Sequence, residues 1–291
     1  MKKNRKVKAF EELSMKGLFL LCGLMAVAFV LFITVYLIQA GLPAIREIGL
    51  IPFLTGDTWD PTGSVPQYGI LPIILTSVCG TFGAILIGVP VGLLTAIYLG
   101  KMAPDNVRAV IRPAVDLLAG IPSVVYGLVG MMVLVPFVRE LFGLPDGANL
   151  FSAIIVLAIM ILPSIISVSE TALRAVPPEY EEASLALGAT KTETVFKVSV
   201  PAAISGIATS VVLGIGRAIG EAMAIMMVSG NVANMPGLFR SVRFLTTAVA
   251  SGMGYSSGLY RQALSSIALV LFVFIMVINL VLNLLLKKGG K

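Results

Sequence analysis

The sequence contains no histidine and only two cysteines among its 291 residues. Without an imidazole it has no histidine base, histidine zinc ligand or histidine proton relay, which excludes most hydrolases and metalloenzymes. Cys22 and Cys79 each lie inside an apolar run, so neither a disulfide framework nor a cysteine metal cluster is indicated. We therefore predict no catalytic residue, no metal site and no cofactor.

Charged residues are also scarce, at 12% of the chain, whereas 57% is hydrophobic. The mean hydropathy is +0.99, and a soluble protein of this size would carry about a quarter charged residues. Long apolar runs separated by short charged blocks are typical of an all-α, polytopic protein embedded in membrane lipid. The net charge is +6. Its basic residues are neither gathered on one amphipathic face nor interleaved with aromatic residues, so we expect no nucleic-acid partner.

Six segments are long and apolar enough to span a membrane, which requires about 20 residues. They cover approximately residues 17–39, 69–99, 117–138, 150–168, 203–229 and 263–286. Residues 1–16 form a basic amino-terminal tail, so the first run resembles a signal peptide at its start. Because it lacks a clear small-residue cleavage site, we expect it to be retained. Residues 69–286 would then form a core of five helices.

Lysine and arginine are distributed unequally between the predicted loops. Fifteen lie in the amino tail, residues 100–114, residues 169–201 and the carboxyl tail, whereas five lie in the opposite loops. The positive-inside rule therefore predicts a multi-pass protein of the cytoplasmic (inner) membrane with both termini in the cytoplasm. Arg240, Arg243 and Arg261 lie in the opposite loops, where they could dock a partner protein or anchor the span ends at the interface.

The predicted loop at about residues 177–201 has the markings of two short helices. Pro178 suits a first helical turn, and Gly188 can close that helix in the left-handed conformation. Thr190 and Glu193 have the spacing of a capping box, which predicts the second helix. Composition alone would also allow both helices to lie in the lipid headgroup region.

The spacing within this loop resembles the EAA loop of ABC-importer permeases. The family pattern is Glu-Ala-Ala, three residues, Gly, nine residues, Ile, any residue and Leu-Pro. This sequence matches that spacing at Glu182, Ala183, Ser184, Gly188, Val198, Val200 and Pro201, with conservative departures at Ser184, Val198 and Val200. In that family the loop docks into a cytoplasmic ATPase, so the resemblance implies that Glu182, Ala183 and Gly188 contact an ATPase dimer. The chain has no nucleotide-binding Gly-x-x-x-x-Gly-Lys-Ser/Thr loop of its own.

The fifth predicted span contains Arg217 and Glu221, which a continuous helix would place on one face. A charge at the centre of a spanning helix costs ~2.5 to 3.5 kcal/mol on insertion scales, so the pair needs an explanation. The two side chains could form an ion pair that only fixes packing. Alternatively, Arg217 binds an anion. Glu221 then holds Arg217 in place when the site is empty, or accepts a hydrogen bond from a protonated oxygen of the anion. Gly216 and Gly220 would let another helix approach closely, from this chain or from a partner.

Several segments resemble the phosphate-importer permeases, and more closely their PstC type. They are Leu118 to Gly127, Gly216 to Glu221, Trp59 to Pro61, Tyr68 to Pro72 and Gly230-Asn231. The resemblance implies a type I ABC-importer permease fold and a subunit that moves inorganic phosphate and is not an enzyme. Its expected partners are a PstA-type permease, the ATPase dimer and an extracytoplasmic phosphate-binding protein. Ser123 and Tyr126 are candidates for lining the path, although Tyr126 could equally make an ordinary helix contact.

Three other functions remain open at this point. The permease could carry sulfate, molybdate or a neutral solute instead of phosphate. An ion channel or ion-coupled carrier could also use the charges at 217 and 221, and would need no ATPase. An intramembrane enzyme is disfavoured because no serine can be paired with a histidine and no aspartate pair falls at helix centres.

Overall fold

The computed structural model describes residues 2–289. Met1 of the predicted amino-terminal tail and Lys291 of the predicted basic carboxyl tail lie outside the described residues. Five of the described helical segments are long and apolar enough to cross a membrane, and a bent pair can supply a sixth crossing. The five are Ser14–Ile48, Leu71–Met102, Ser123–Phe142, Leu150–Arg174 and Gly258–Val281, and the pair is Lys191–Ala202 with Ile204–Gly220. The predicted all-α, polytopic class is confirmed.

Within residues 2–289 the elements are helices that follow one another, with a small hairpin between the second and third of them. The helices are α1 (Lys2–Ile48), α2 (Leu50–Thr55), α3 (Leu71–Ile97), α4 (Asp105–Gly120), α5 (Ser123–Val129), α6 (Val135–Phe142), α7 (Leu150–Arg174), α8 (Pro178–Ala186), α9 (Lys191–Thr194), α10 (Val200–Ala202), α11 (Ile204–Gly220), α12 (Met223–Val228), α13 (Leu245–Gly252) and α14 (Gly258–Gly289). Antiparallel strands β1 (Trp59–Asp60) and β2 (Gln67–Tyr68) form the hairpin, with Trp59 opposite Tyr68. Short π-helical turns follow α3, α5 and α9, at Tyr98–Met102, Gly130–Leu134 and Val195–Ser199.

The two ends of the bundle are distinguished by the elements that lie there. Helix α3 begins just after the hairpin and is about 40 Å long at 1.5 Å per residue. Lys101, just beyond its other end, forms an ion pair with Glu181 of α8. We call the end that bears α8 to α10 the loop face. The opposite end carries β1 and β2 and is called the hairpin face.

Helix α7 is the most deeply buried of the candidate spanning helices in the described chain. Its side chains Ile154, Ile161 and Ile165 pack against glycines of α3, including Gly88. A Cβ atom built on Gly88 would lie 2.6 Å from the Cδ1 atom of Ile161. These glycines therefore permit the close approach of α3 and α7. Helix α1 differs, because its apolar side chains are exposed and suited to lipid contact.

The third predicted span, at residues 117–138, is wrong at its start. Helix α4 ends at Gly120, and the spanning segment begins again at Ser123. Ile121 has an extended backbone, with φ −70° and ψ 127°, because the proline ring of Pro122 disfavours a helical conformation in the residue before it. The proline therefore ends one helix before the next begins, and the run is not one continuous helix.

The fifth predicted span, at residues 203–229, is also wrong as one continuous helix. Helix α11 ends at Gly220, Glu221 is extended, and α12 starts at Met223. Before α11, the chain bends by 71° between residues 191–202 and 204–220. The apolar composition of this region gave no signal of the break, since alanine, isoleucine and methionine suit a helix on either side. Arg217 and Glu221 consequently do not share one helical face.

Candidate functional site

The predicted ATPase-contact residues all lie exposed on the loop face. Glu182 and Ala183 are in α8, and Gly188 follows the carboxyl end of that helix. Gly188 has φ +88°, the left-handed conformation expected from the sequence, and open space surrounds it. The side chain of Leu187 beside it is 90% exposed. An exposed carboxylate next to an exposed leucine is an arrangement that a protein partner can cover.

The second short helix begins with the predicted capping box. The Thr190 hydroxyl accepts a hydrogen bond from the Glu193 amide at 3.3 Å, and the Glu193 carboxylate accepts one from the Thr190 amide at 3.0 Å. Hydrogen bonds from the backbone and hydroxyl of Thr190, and from Lys197, lower the pKa of Glu193 to about 2. The cap fixes the start of α9 relative to α8, and a hydrogen bond between Ser184 and Thr194 joins the two helices.

Glu181 attaches the loop to two neighbouring elements. Its carboxylate forms an ion pair with Lys101 and accepts a 2.8 Å hydrogen bond from Ser199. Burial acts to raise the pKa of Glu181, but the hydrogen bonds from Lys101 and Ser199 outweigh it and hold the pKa below its usual value. A displacement of α8 would therefore pull on the end of α3 through Lys101 and on the segment leading to α11 through Ser199.

Arg217 lies in the last turn of α11, immediately before the break in the fifth span. Its side chain is partly buried, and its Nη1 atom is 3.5 Å from the Ser164 hydroxyl, the long limit of a hydrogen bond. Among the described residues it forms no ion pair. A guanidinium carries five donors, so the described side chains leave most of the hydrogen-bonding capacity of Arg217 unused.

Glu221 is engaged elsewhere. Its Oε1 atom accepts a 3.0 Å hydrogen bond from the Ala224 amide in the first turn of α12. Its backbone carbonyl accepts a 2.7 Å hydrogen bond from the Thr246 hydroxyl. The carboxylate therefore satisfies an amide at the start of a helix, as acidic residues commonly do. The alternative of a packing ion pair between Arg217 and Glu221 is not present in the described structure.

Ser123 and Tyr126 stand directly after the Pro122 break. The Tyr126 hydroxyl donates to the Leu118 carbonyl at 2.7 Å, which satisfies an acceptor left free where α4 ends. The phenol ring is also within electrostatic reach of Arg217. Ser123 is partly buried and makes no side-chain hydrogen bond among the described residues. The structure thus brings Tyr126 near Arg217 and gives its hydroxyl a structural partner.

The helix break carrying Arg217 is held by close packing of α5 on α12. A Cβ atom on Gly127 would lie 2.8 Å from the Cα atom of Ala224. A groove of ≈ 370 Å³ runs along α5 and α7 past Tyr126, but its lining residues are otherwise apolar and exclude Arg217. An apolar groove cannot hold an anion without a large desolvation cost. The groove therefore offers no charged side chain to an anion.

Sequence reasoning missed a buried ionic cluster at the end of α7. The Glu170 side chain is 2% exposed, and it pairs with Arg174 at 2.8 Å and with Arg112 of α4. The Nε atom of Arg108 lies 3.8 Å from the Oε1 atom of Glu170, and its Nη2 atom donates to backbone carbonyls just after α3. The cluster therefore ties together three helices near the loop face. A glutamate next to an apolar run was its signal, because an acidic residue there needs a basic partner.

Among the described residues, no group of three or more histidine, cysteine, aspartate or glutamate side chains could hold a metal ion.

Comparison with protein families gives one match over most of the chain. The family described as "Binding-protein-dependent transport system inner membrane component" matches residues 88–288. A "Probable ABC transporter permease protein YqgH" of Bacillus subtilis (strain 168) is 39% identical over 285 residues, covering 95% of this chain and 92% of that protein. The "Phosphate transport system permease protein PstC" of Haemophilus influenzae is 37% identical over 257 residues, covering 81% of each.

Solved structures support the same fold. A bacterial alginate ABC transporter chain matches with a TM-score of 0.61 and 17% identity, covering 94% of both chains. An inward-facing MetNI methionine ABC transporter chain matches with a TM-score of 0.55 and 22% identity, covering 74% of this chain and 92% of that one. At these identities the likeness concerns the fold, which is that of type I ABC-importer permeases, as predicted.

The family implies work with an ATPase and a substrate-binding protein, and a chain that crosses the membrane several times. The exposed loop with its left-handed glycine agrees with that role. The chain therefore belongs to the binding-protein-dependent transport system inner membrane component family and is a permease subunit of an ABC transporter.

Proposed function

We propose that this permease translocates inorganic phosphate and that Arg217 is the residue that meets the anion in the membrane. The observation that carries the proposal is the partly buried guanidinium of Arg217, which has no carboxylate partner among the described residues. A planar fork of donors matches the oxygens of a tetrahedral oxyanion. The similarity to phosphate transport permeases of several species supports phosphate as that oxyanion.

Arg217 lies in the last turn of α11, next to the break between α11 and α12. Non-helical backbone within a membrane is tolerated where it lines a cavity or is buried in protein. Glu221 lies at this break with its carboxylate fixed by the Ala224 amide. In this arrangement the Glu221 carboxylate accepts a hydrogen bond from a protonated oxygen of the anion, while Arg217 donates hydrogen bonds to the charged oxygens. Ser123 and Tyr126 line the same path from α5.

The loop face would lie in the cytoplasm and bind the ATPase dimer through Glu182, Ala183 and Gly188. The excess of basic residues on this side supports that orientation, with both termini cytoplasmic in the inner membrane. Closure of the ATPase dimer would move α8. The ion pair of Glu181 with Lys101 would pass that movement to α3 and alter access to Arg217.

A PstA-type permease would complete the pore. Helix α11 has an exposed stripe of residues spaced as on one helical face, formed by Thr209, Leu213, Gly216 and Gly220. A Cβ atom built on Gly216 or Gly220 would meet nothing within 4 Å, so a helix of a partner could approach there. Of the two origins considered for that helix, a partner subunit is the one that this open face supports.

The experiment is phosphate uptake into proteoliposomes that contain the complete transporter. Arg217→Ala should abolish ATP-driven uptake while the complex still assembles, and Arg217→Lys should restore only part of it because lysine lacks the planar fork. Arg139→Ala is the control, since Arg139 is an exposed arginine at the end of α6. Normal uptake by Arg217→Ala would remove Arg217 from the mechanism.

Competition distinguishes the remaining substrates and mechanisms. Unlabelled phosphate should suppress uptake of labelled phosphate far more than equal sulfate or molybdate. Stronger suppression by sulfate or molybdate would show that the transported substrate is that oxyanion instead of phosphate. Uptake that continues without ATP would instead favour an ion-coupled carrier.

A further inference from the structure

A second arginine, Arg243, is partly buried on the hairpin face and has no hydrogen-bond or ion-pair partner among residues 2–289. It lies between α12 and α13, just before the buried side chain of Phe244. Its Nε atom is buried and makes no hydrogen bond, and the residue forms no ion pair within the part of the chain that the structure describes. Burial lowers the pKa of Arg243, an effect that the nearby Tyr260 partly offsets. A buried cation without a counter-charge is costly, which makes an anion a favourable occupant.

A second unused donor lies on the hairpin face, on the indole ring of Trp59. The Nε1 atom of Trp59 is buried without a hydrogen-bond partner, although buried indole N–H groups usually have one. Trp59 is 8% exposed, and its ring contacts Tyr260 with centroids 6.1 Å apart. Tyr260 therefore contacts Trp59 and lies within electrostatic reach of Arg243. Their two unpaired donors suit an oxygen-rich anion, and no carboxylate of the described chain pairs with Arg243.

The backbone connects this position to the proposed membrane site. Val242 donates to the Ser229 carbonyl at 2.9 Å, and Thr246 donates to the Glu221 carbonyl at 2.7 Å. The segment from 242 to 246 thus runs beside α12, from its end back to its start. Because α12 has six residues, its two ends are about 9 Å apart, and Arg243 follows Val242 beside the end remote from the break at Glu221.

We propose that Arg243, with the indole N–H of Trp59 as a second donor, forms an outer anion-binding site that takes phosphate before it reaches Arg217. This inference rests on the proposed function. It assigns Arg243 a role different from that of an exposed docking residue such as Arg240. The site would receive the anion at the hairpin face and hold it until the membrane site opens.

Trp59 is the single tryptophan of this chain, so its fluorescence can report binding directly. The full-length chain is reconstituted in lipid vesicles and titrated with inorganic phosphate at constant ionic strength. We expect a saturable change in fluorescence. Arg243→Ala should weaken the apparent affinity roughly tenfold or more, because it removes charge-assisted hydrogen bonds. Arg243→Lys should bind phosphate with an affinity between those of the unmodified chain and Arg243→Ala. Because it keeps the charge and most of the side chain, it controls for loss of folding.

Two variants separate this site from its neighbours. Arg240→Ala, an exposed arginine three residues earlier, should bind phosphate like the unmodified chain. Arg217→Ala should also keep the Trp59 response even though its transport is lost. The absence of a saturable response, the same response to chloride, or an unchanged response in Arg243→Ala would each overturn the proposal.

Transport by the complete complex gives the second test. At saturating binding protein, Arg243→Ala should lower the maximal uptake rate about tenfold while stimulation of ATP hydrolysis by the binding protein persists. Full recovery of uptake at high binding-protein concentration would show a docking role and refute the outer site. ATP-independent uptake by the unmodified complex would instead refute the proposed function, so the two failures are distinguishable.

Discussion

Replacing Glu170 by glutamine should destabilise the junction of α3, α4 and α7. The carboxylate is 2% exposed and is shared by Arg174, Arg112 and Arg108, whose side chains are 47%, 33% and 28% exposed. Removing one partner of a buried ion pair costs about 3–5 kcal/mol, because it leaves the other charge uncompensated. Since water can reach part of each arginine, we expect the lower end of that range, about 3 kcal/mol.

The assay is unfolding of the purified chain in mixed micelles titrated with sodium dodecyl sulfate, followed by circular dichroism. Asp116→Asn is the matched control, because Asp116 pairs with the same Arg112 at 3.1 Å but is 55% exposed. An exposed pair of this kind contributes about 0.3–0.5 kcal/mol. Equal destabilisation by Glu170→Gln and Asp116→Asn would refute the argument that burial makes the Glu170 cluster important.

Three further changes test the loop and the helix break. Gly188→Ala should weaken association with the ATPase, because an alanine at φ +88° costs about 1–2 kcal/mol. Gly143→Ala imposes similar strain at φ +61° away from the loop, so equal co-purification of ATPase with both variants would contradict the assignment. The pKa of Glu181 is lower in the folded chain than its ordinary value of 4.5, so its ion pair stabilises the fold when the pH is above 4.5. This stabilisation is lost as the pH falls through the lowered pKa of the folded chain. The difference in melting temperature between the unmodified chain and Glu181→Gln should therefore shrink on acidification from about pH 6 to about pH 3, and a difference independent of pH would contradict this. Tyr126→Phe should lose about 1 kcal/mol of stability with the hydrogen bond to the Leu118 carbonyl and should impair uptake less than Arg217→Ala. Unchanged stability together with abolished uptake would show that the hydroxyl acts on the anion instead.

The sequence was sufficient for features set by local chemistry. Apolar length predicted the membrane-spanning class, and the spacing of Thr190 and Glu193 predicted the capping box that the structure contains. Gly188 was recognised because a glycine that closes a helix commonly adopts the left-handed conformation. The break at Pro122 falls inside a run that apolar length alone predicted as one span, because the restraint that a proline puts on the residue before it does not change the hydropathy.

The remaining features depend on contacts between distant segments. Glu221 leaves the helical face because its carbonyl is bound by Thr246, a residue 25 positions later, and helical periodicity cannot express that contact. Glu170 pairs with arginines of α4, and one of them, Arg112, lies 58 residues earlier in the sequence. That no described residue pairs with Arg243 is likewise a property of the folded chain. Such pairings depend on tertiary packing, which a single sequence does not display.

We propose that Arg217, which has no carboxylate partner among the described residues, binds phosphate at the helix break under the control of an ATPase bound to the loop face. The most direct measurement is uptake of labelled phosphate into vesicles that contain the complete transporter and its binding protein, with and without ATP, for the unmodified chain and for Arg217→Ala. We predict uptake that requires ATP and disappears in the variant. ATP-driven uptake that persists in Arg217→Ala, or equal uptake without ATP, would contradict the claim.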